Sequence, residues 1–203
     1  MSSPLRSRFK EAVVREVLDA AEAILCEQRI LATGGKASMA EIAARAGVSV
    51  GSIYNYFKDK DEVVRTLIAT RCDQYVATIE QALTASAAEP FPEQLAAVVA
   101  SVLGFYDAHR NFGRFVFESD QPGGGLASQR TPWIRAVEAI RPLVERGVTG
   151  GHLSPGNVSL YAPSLVGIMY SVMMERLADD TKSFASDAPD VIAMFLRGAG
   201  APG

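Results

Sequence analysis

SMAEIAARAGVSVGSIYNYFKDKD, residues Ser38 to Asp61, reads as two short helices joined by a tight turn, with a basic and aromatic exit. Ser38 and Glu41 have the spacing of a capping box, in which hydroxyl and carboxylate each take one orphan backbone N–H. Ala40, Ile42, Ala43 and Ala46 then offer a small apolar face that a second helix can approach closely. Gly47 is the turn, because glycine accepts a positive φ that other residues resist. Val48 plugs the corner and Ser49 is placed to cap the next helix. That helix, expected over Val50–Tyr56, has only Ile53 to bury, with Val48 and Phe57 beside it, while Val50, Gly51, Ser52 and Asn55 are small or polar. Short side chains let a helix backbone press into a major groove, so Ser49, Val50, Gly51, Ser52 and Asn55 are candidates to meet base edges. Ser38, Tyr54, Tyr56, Lys58 and Lys60 flank them as candidate phosphate donors. A helical hairpin inside an all-α core would also tolerate Gly-Val-Ser, but it would not pair a polar second helix with a Tyr-x-Tyr-Phe-Lys-x-Lys exit.

The pattern Ile42-Ala43, Ala46-Gly47-Val48-Ser49-x-Gly51-x-x-Tyr54-x-Tyr56-Phe57-x-x-Lys60, followed by an acidic residue and an apolar helix, resembles the TetR family of bacterial transcriptional regulators. The resemblance is sharp over Leu18 to Ile68 and beyond that rests on length and helix content. Where the family often has a Thr pair touching phosphate, this chain has Ala37-Ser38, leaving Ser38 alone for that contact. The resemblance implies a dimeric regulator that binds a double-stranded DNA operator and answers to a small-molecule effector.

The chain has 203 residues, 48% of them hydrophobic, enough for one large domain or two small ones. Residues 1–70 carry ten Lys/Arg and nine Asp/Glu, net +1; residues 71–203 carry ten and fourteen, net −4; together these give the overall −3. Negative net charge does not exclude DNA binding, since phosphate contacts need only a local basic surface. Cys26 and Cys72 have no CxxC or Cys/His spacing and are expected to be small buried hydrophobes. The N-terminus lacks the apolar run of a secretory signal, and the longest apolar run, Leu160–Met174, is about fifteen residues and short for a bilayer. We expect a cytoplasmic protein outside the membrane.

Apolar positions at helical spacing (Val13, Val17, Ala20, Ala21, Ile24, Leu25) predict a first helix from Phe9 to Arg29, with Glu11, Glu16, Asp19 and Glu22 facing water. It should pack on the motif to complete a three-helix helix-turn-helix head over residues 1–58, with Arg6, Arg8 and Lys10 at its basic start. Thr33-Gly34-Gly35 separates it from the motif. Residues 59–203 read as a helical bundle for ligand binding and dimerisation. Its helices are expected from about Asp61 to Ala85, Glu93 to Arg110, Phe112 to Ser119, Pro132 to Val148, Asn157 to Ala178 and Ala188 to Arg197. Asp120–Ser128 and Thr149–Gly156 are loops. No segment has strand periodicity, so the fold class is all-α.

The helix after Asn157 is apolar on nearly every side and must be covered on every side. A second copy is the natural cover, with Val166, Tyr170 and Met174 joined by Val191, Met194 and Phe195 of the last helix in a homodimer interface. Aromatics and Met with a few polar tips suit an apolar effector cavity, for which Phe105, His109, Phe112, Phe115, Trp133, Val137, Met169 and Met173 are candidates. The same residues would also serve as plain core. His109 and His152 stand without a carboxylate or Cys at ligand spacing, and there is no GxSxG or P-loop. We therefore expect no enzyme activity, no metal and no cofactor. The alternative function is a DNA-binding protein whose second domain is only a dimerisation or protein-docking scaffold.

Overall fold

A computed structural model of the chain describes residues 4–27, 37–119, 130–177 and 181–200. They form α1 (Pro4–Glu27), α2 (Met39–Arg45), α3 (Val50–Tyr54), α4 (Lys60–Ala85), α5 (Phe91–Ala108), α6 (Arg110–Ser119), α7 (Arg130–Thr149), α8 (Tyr161–Arg176) and α9 (Ala188–Ala199), with single 3-10 turns at Val158–Leu160 and Phe184–Asp187. Among the described residues there is no strand, only one antiparallel bridge between Leu153 and Gly200. The fold is all-α.

The chain divides into two compact units, Met1–Arg71 with Asn111–Ser128, and Cys72–Arg110 with Gln129–Gly203. The division falls inside α4 rather than at its start, so one continuous helix contributes residues to both units.

The first unit is built around α1. Val17, Leu18, Ala20, Ala21, Ile24 and Leu25 are buried with Met39, Ile42 and Ala43 of α2, Ile53 of α3, and Val63, Val64 and Leu67 of α4. Ala40, expected on the inner face of α2, points to solvent, and Met39 takes the buried position instead. A second correction concerns Glu22. Expected in water, it is buried and accepts a 2.8 Å bond from Arg71 Nε, while Arg71 also bonds Asp19. A buried carboxylate needs such a partner, because its desolvation is otherwise uncompensated.

In the second unit α9 packs on α5 and α8, and α7 packs on α8 and α5. Leu95, Val98, Val99, Val102 and Leu103 run buried along α5, and Ile140, Leu143 and Val144 are buried on α7. Gly147 is required here by contact: a Cβ there would lie 2.5 Å from the Phe91 ring and 2.8 Å from Leu153. Asp107, near the end of α5, accepts from the backbone N–H of Phe184 (2.9 Å) and Ala185 (3.0 Å), from the Ser183 hydroxyl and from Arg110, and so holds the turn that leads into α9.

Val158–Arg176, 19 residues including the 3-10 turn, has the length and composition to cross a membrane, which the fifteen-residue run in the sequence understated. Its Ala162, Leu165, Val166, Met169 and Met173 are instead buried beside α7 and α9.

Candidate nucleic-acid interface

The capping box forms as its spacing requires. Glu41 N–H donates to Ser38 Oγ (3.2 Å), and Ser38 N–H donates to Glu41 Oε2 (2.8 Å). The Ser38 hydroxyl also donates its single proton to Glu41 Oε2 (2.9 Å), so that proton is already engaged on the carboxylate rather than offered outward. Arg45 clamps α2 to α1 through a two-pronged pair with Glu27 (2.6 and 3.0 Å), and its guanidinium holds the Glu27 carboxyl below the ordinary range. The chain then turns at Gly47 with φ 68°, and Val48 N–H returns to Ala43 C=O at 3.0 Å.

Ser49 caps α3, accepting from Ser52 N–H at 3.0 Å, with the two hydroxyls 2.8 Å apart. The helix is two residues shorter than its sequence suggests, because Asn55 ends it as a C-cap. Ile53 alone is fully buried, at 0% exposure, and Phe57 follows it inward. Val50 and Tyr54 are 43% and 53% exposed, Gly51 and Asn55 are exposed, and Ser52 is half-buried. Gly51 has no positive φ, and a Cβ there would meet only Ser49 Oγ at 3.9 Å. Nothing in the protein therefore requires glycine at that position.

Past α3, Tyr56 and Lys60 are half-buried and Lys58 is exposed. The loop is fixed by reciprocal caps: Lys58 N–H donates to Glu62 Oε2 (2.6 Å) and Glu62 N–H to Asp59 Oδ1 (2.8 Å). Among the described residues the ammonium groups of Lys58 and Lys60 enter no ion pair, which leaves both cations available. Ser38, Ser49, Val50, Gly51, Ser52, Tyr54, Asn55, Tyr56, Lys58 and Lys60 thus lie on one short segment. The Arg45–Glu27 and Arg71–Glu22 pairs that hold it were not legible in sequence, since their members are 18 and 49 residues apart.

The effector candidates are less unified. Phe105 is buried and its ring lies 4.6 Å from His109 and 5.3 Å from Tyr75, which in turn lies 5.3 Å from Tyr106. Trp133 and Val137 are half-buried, with Trp133 edge-on to Tyr170 at 6.1 Å; Gly167 gives Trp133 room. Met169 and Met173 are buried, while Phe112 is buried but belongs to the first unit, and the Phe115 side chain lies outside the described residues. Tyr75, Tyr106 and Cys72, the last expected from the sequence as a small buried hydrophobe, are buried and join this interior. Burial pushes both phenols up and the Cys72 thiol up to about 11, so all three stay neutral.

Two grooves, of about 340 and 270 Å³, lie along α8 and α9 and contain none of the effector candidates; Met194 lines both. Of the interface candidates, Met174 and Met194 are exposed and Tyr170 is half-buried, but Val166, Val191 and Phe195 are buried within their own chain. Those three lie beneath the outer face because they pack in the subunit's own core.

A capped helix pair that leaves its small-faced second helix bare has the geometry of a helix-turn-helix, whose second helix can enter a major groove. Residues 17–67, about a quarter of the chain, match the family described as "Bacterial regulatory proteins, tetR family". The chain is 34% identical over 80 residues to the probable HTH-type transcriptional regulator YttP of Bacillus subtilis (strain 168), a match that spans 39% of each chain. The fold is similar to that of the fatty acid degradation regulator FadR from Bacillus halodurans (TM-score 0.79, 19% identity, 98% of this chain and 97% of that one). It is also similar to FadR from Bacillus subtilis in complex with stearoyl-CoA (TM-score 0.74, 20% identity, 91% and 98%).

Proposed function

We propose that this protein is a cytoplasmic repressor that binds a palindromic operator as a homodimer and leaves it when a small, largely apolar effector binds. The head over residues 1–58 reads DNA, and residues 59–203 bind the effector and the second copy. The observation that carries the DNA reading is the bare face of α3, above all a Gly51 that no protein contact requires. Val50, Gly51, Ser52 and Asn55 face the bases in this reading. Tyr54, Tyr56, Lys58 and Lys60 take the phosphates on either side. Ser49 serves first as the cap of α3, and Ser38 reaches phosphate only by releasing Glu41.

The second copy docks on the outer face of α8 and α9, where Ile168, Val172 and Met194 line the two grooves. The effector enters among Phe105, His109, Trp133, Tyr75 and Tyr106, a mostly apolar interior with polar tips. The FadR structure similar to this one holds stearoyl-CoA, which supports an apolar effector here. Because α4 contributes to both units, a change in its direction on effector binding reaches the head. The coupling needs the effector to prefer the non-DNA state by about 5–150-fold, or roughly 1–3 kcal/mol.

A second reading, in which residues 59–203 only dimerise or dock a protein, is favoured by one observation: both grooves lie outside the aromatic interior. Selecting bound duplexes from a random pool, then screening apolar compounds (stearoyl-CoA among them) for release of the selected duplex, tests both. Enrichment with release supports the effector reading, and enrichment that no compound reverses favours the scaffold.

A further inference from the structure

We propose that Asp190 and Arg197 form a reciprocal ion pair across the two-fold axis of the dimer, and that this pair sets the register in which two copies dock. The inference rests on the self-association proposed above. In α9 the chain buries Val191, Phe195 and Ala199 and turns Asp190, Met194, Arg197 and Gly198 outward, with Met194 54% exposed. Among the described residues neither Asp190 nor Arg197 makes an ion pair or a side-chain hydrogen bond, although both line the groove that has Val172, Ala193 and Met194 as its apolar floor. Glu175 and the paired Arg176 and Asp187 (2.8 Å) line the first groove as well, and at Met194 it meets the second one, which adds Leu160, Ser164, Ile168 and Gly198; along α9 itself the outer face carries one acid, Asp190, and one base, Arg197.

Symmetry selects how such a face meets itself. Asp190 and Arg197 are seven residues apart, so they share a helix face about 10 Å from each other, with their midpoint between Ala193 and Met194. A two-fold axis through that midpoint, perpendicular to the helix, lays α9 antiparallel to its copy. Asp190 then faces the partner's Arg197, and Arg197 faces the partner's Asp190. Centring the axis on Asp190 or on Arg197 instead brings like charges together, as does any parallel pairing. Only the central placement joins opposite charges and puts the bulky Met194 at the axis. The apolar side chains supply the affinity, and the charges exclude the wrong registers.

The test uses the full chain with Asp190→Lys and Arg197→Glu, separately, mixed and combined, followed by native mass spectrometry and sedimentation velocity. Each single variant places like charges opposite each other twice in its own dimer and should dissociate about tenfold or more readily than wild type. An equimolar mixture should give mainly the heterodimer, in which both pairs are restored, and the double variant should dimerise as wild type does. Each swap also opposes the dipole of α9. That cost is present in every species of the mixture, so preferential heterodimers cannot arise from it, and the milder Asp190→Asn and Arg197→Gln should weaken the dimer without driving heterodimers. Single variants that dimerise like wild type, or a mixture with no excess of heterodimer, would overturn the pair while leaving the dimer standing. A wild-type chain that sediments as a monomer overturns the self-association and the pair with it.

Discussion

Gly47 in the turn and Gly51 in α3 are separated by what their missing side chains are for. Gly47 sits at φ 68°, where a Cβ strains the backbone whatever space surrounds it. Gly47→Ala is therefore expected to cost about 1 kcal/mol of stability, measured by denaturant titration. Gly51 has ordinary helical backbone and open room, so Gly51→Ala should raise stability by up to about 1 kcal/mol. The same change should weaken operator binding about tenfold or more, measured by fluorescence anisotropy, because the methyl stands between α3 and the bases. Opposite signs in the two assays are the mark of a residue kept for its partner; a Gly51→Ala variant with unchanged DNA affinity would remove it from the interface. Sequence already placed the turn at Gly47, but did not show the open room around Gly51. Ser38 shows the same limit: its position was legible, but the use of its proton by Glu41 depends on geometry.

At the scale of elements, periodicity placed the helices well because the positions that avoid water repeat at helical spacing. It failed where a charge is buried. Glu22 lies on the inner side of α1 because Arg71, 49 residues later, meets it there, and no local pattern encodes that pairing. Arg71→Met would strand Glu22 without its partner and should cost about 3 kcal/mol, read from the denaturation midpoint, with Arg71→Lys recovering part of the loss. Asp107 performs a similar task in the second unit. Burial alone would raise its carboxyl, but bonds from Ser183, Ala185, Phe184 and Arg110 outweigh that and hold it below the usual range. A depressed folded pKa stabilises above the unfolded value and loses that contribution as pH falls through the folded one, so the loss lies below about pH 4. Asp107→Asn should flatten that acid limb of the stability profile and lower stability at neutral pH.

For the whole molecule, the all-α architecture could be read from the motif and the apolar stripes. The outer face of α8 and α9 could be read only in part. Apolar pattern tells which residues leave water but not which neighbour covers them, so Val166, Val191 and Phe195 were indistinguishable in sequence from Met194. The charge distribution belongs to this scale as well. In the proposed function a chain of net charge −3 binds DNA through the local cations of its head, so affinity should fall steeply with salt, and Lys58→Ala or Lys60→Ala should each make that slope shallower by about one unit. The most direct measurement is selection of duplexes from a random pool by the wild-type chain and by Asn55→Ala. The account predicts an inverted repeat with half-site centres about 10 base pairs or a multiple apart, and a changed base preference within each half-site for the variant. A pool that yields no enriched sequence, or the same sequence from both proteins, would contradict it.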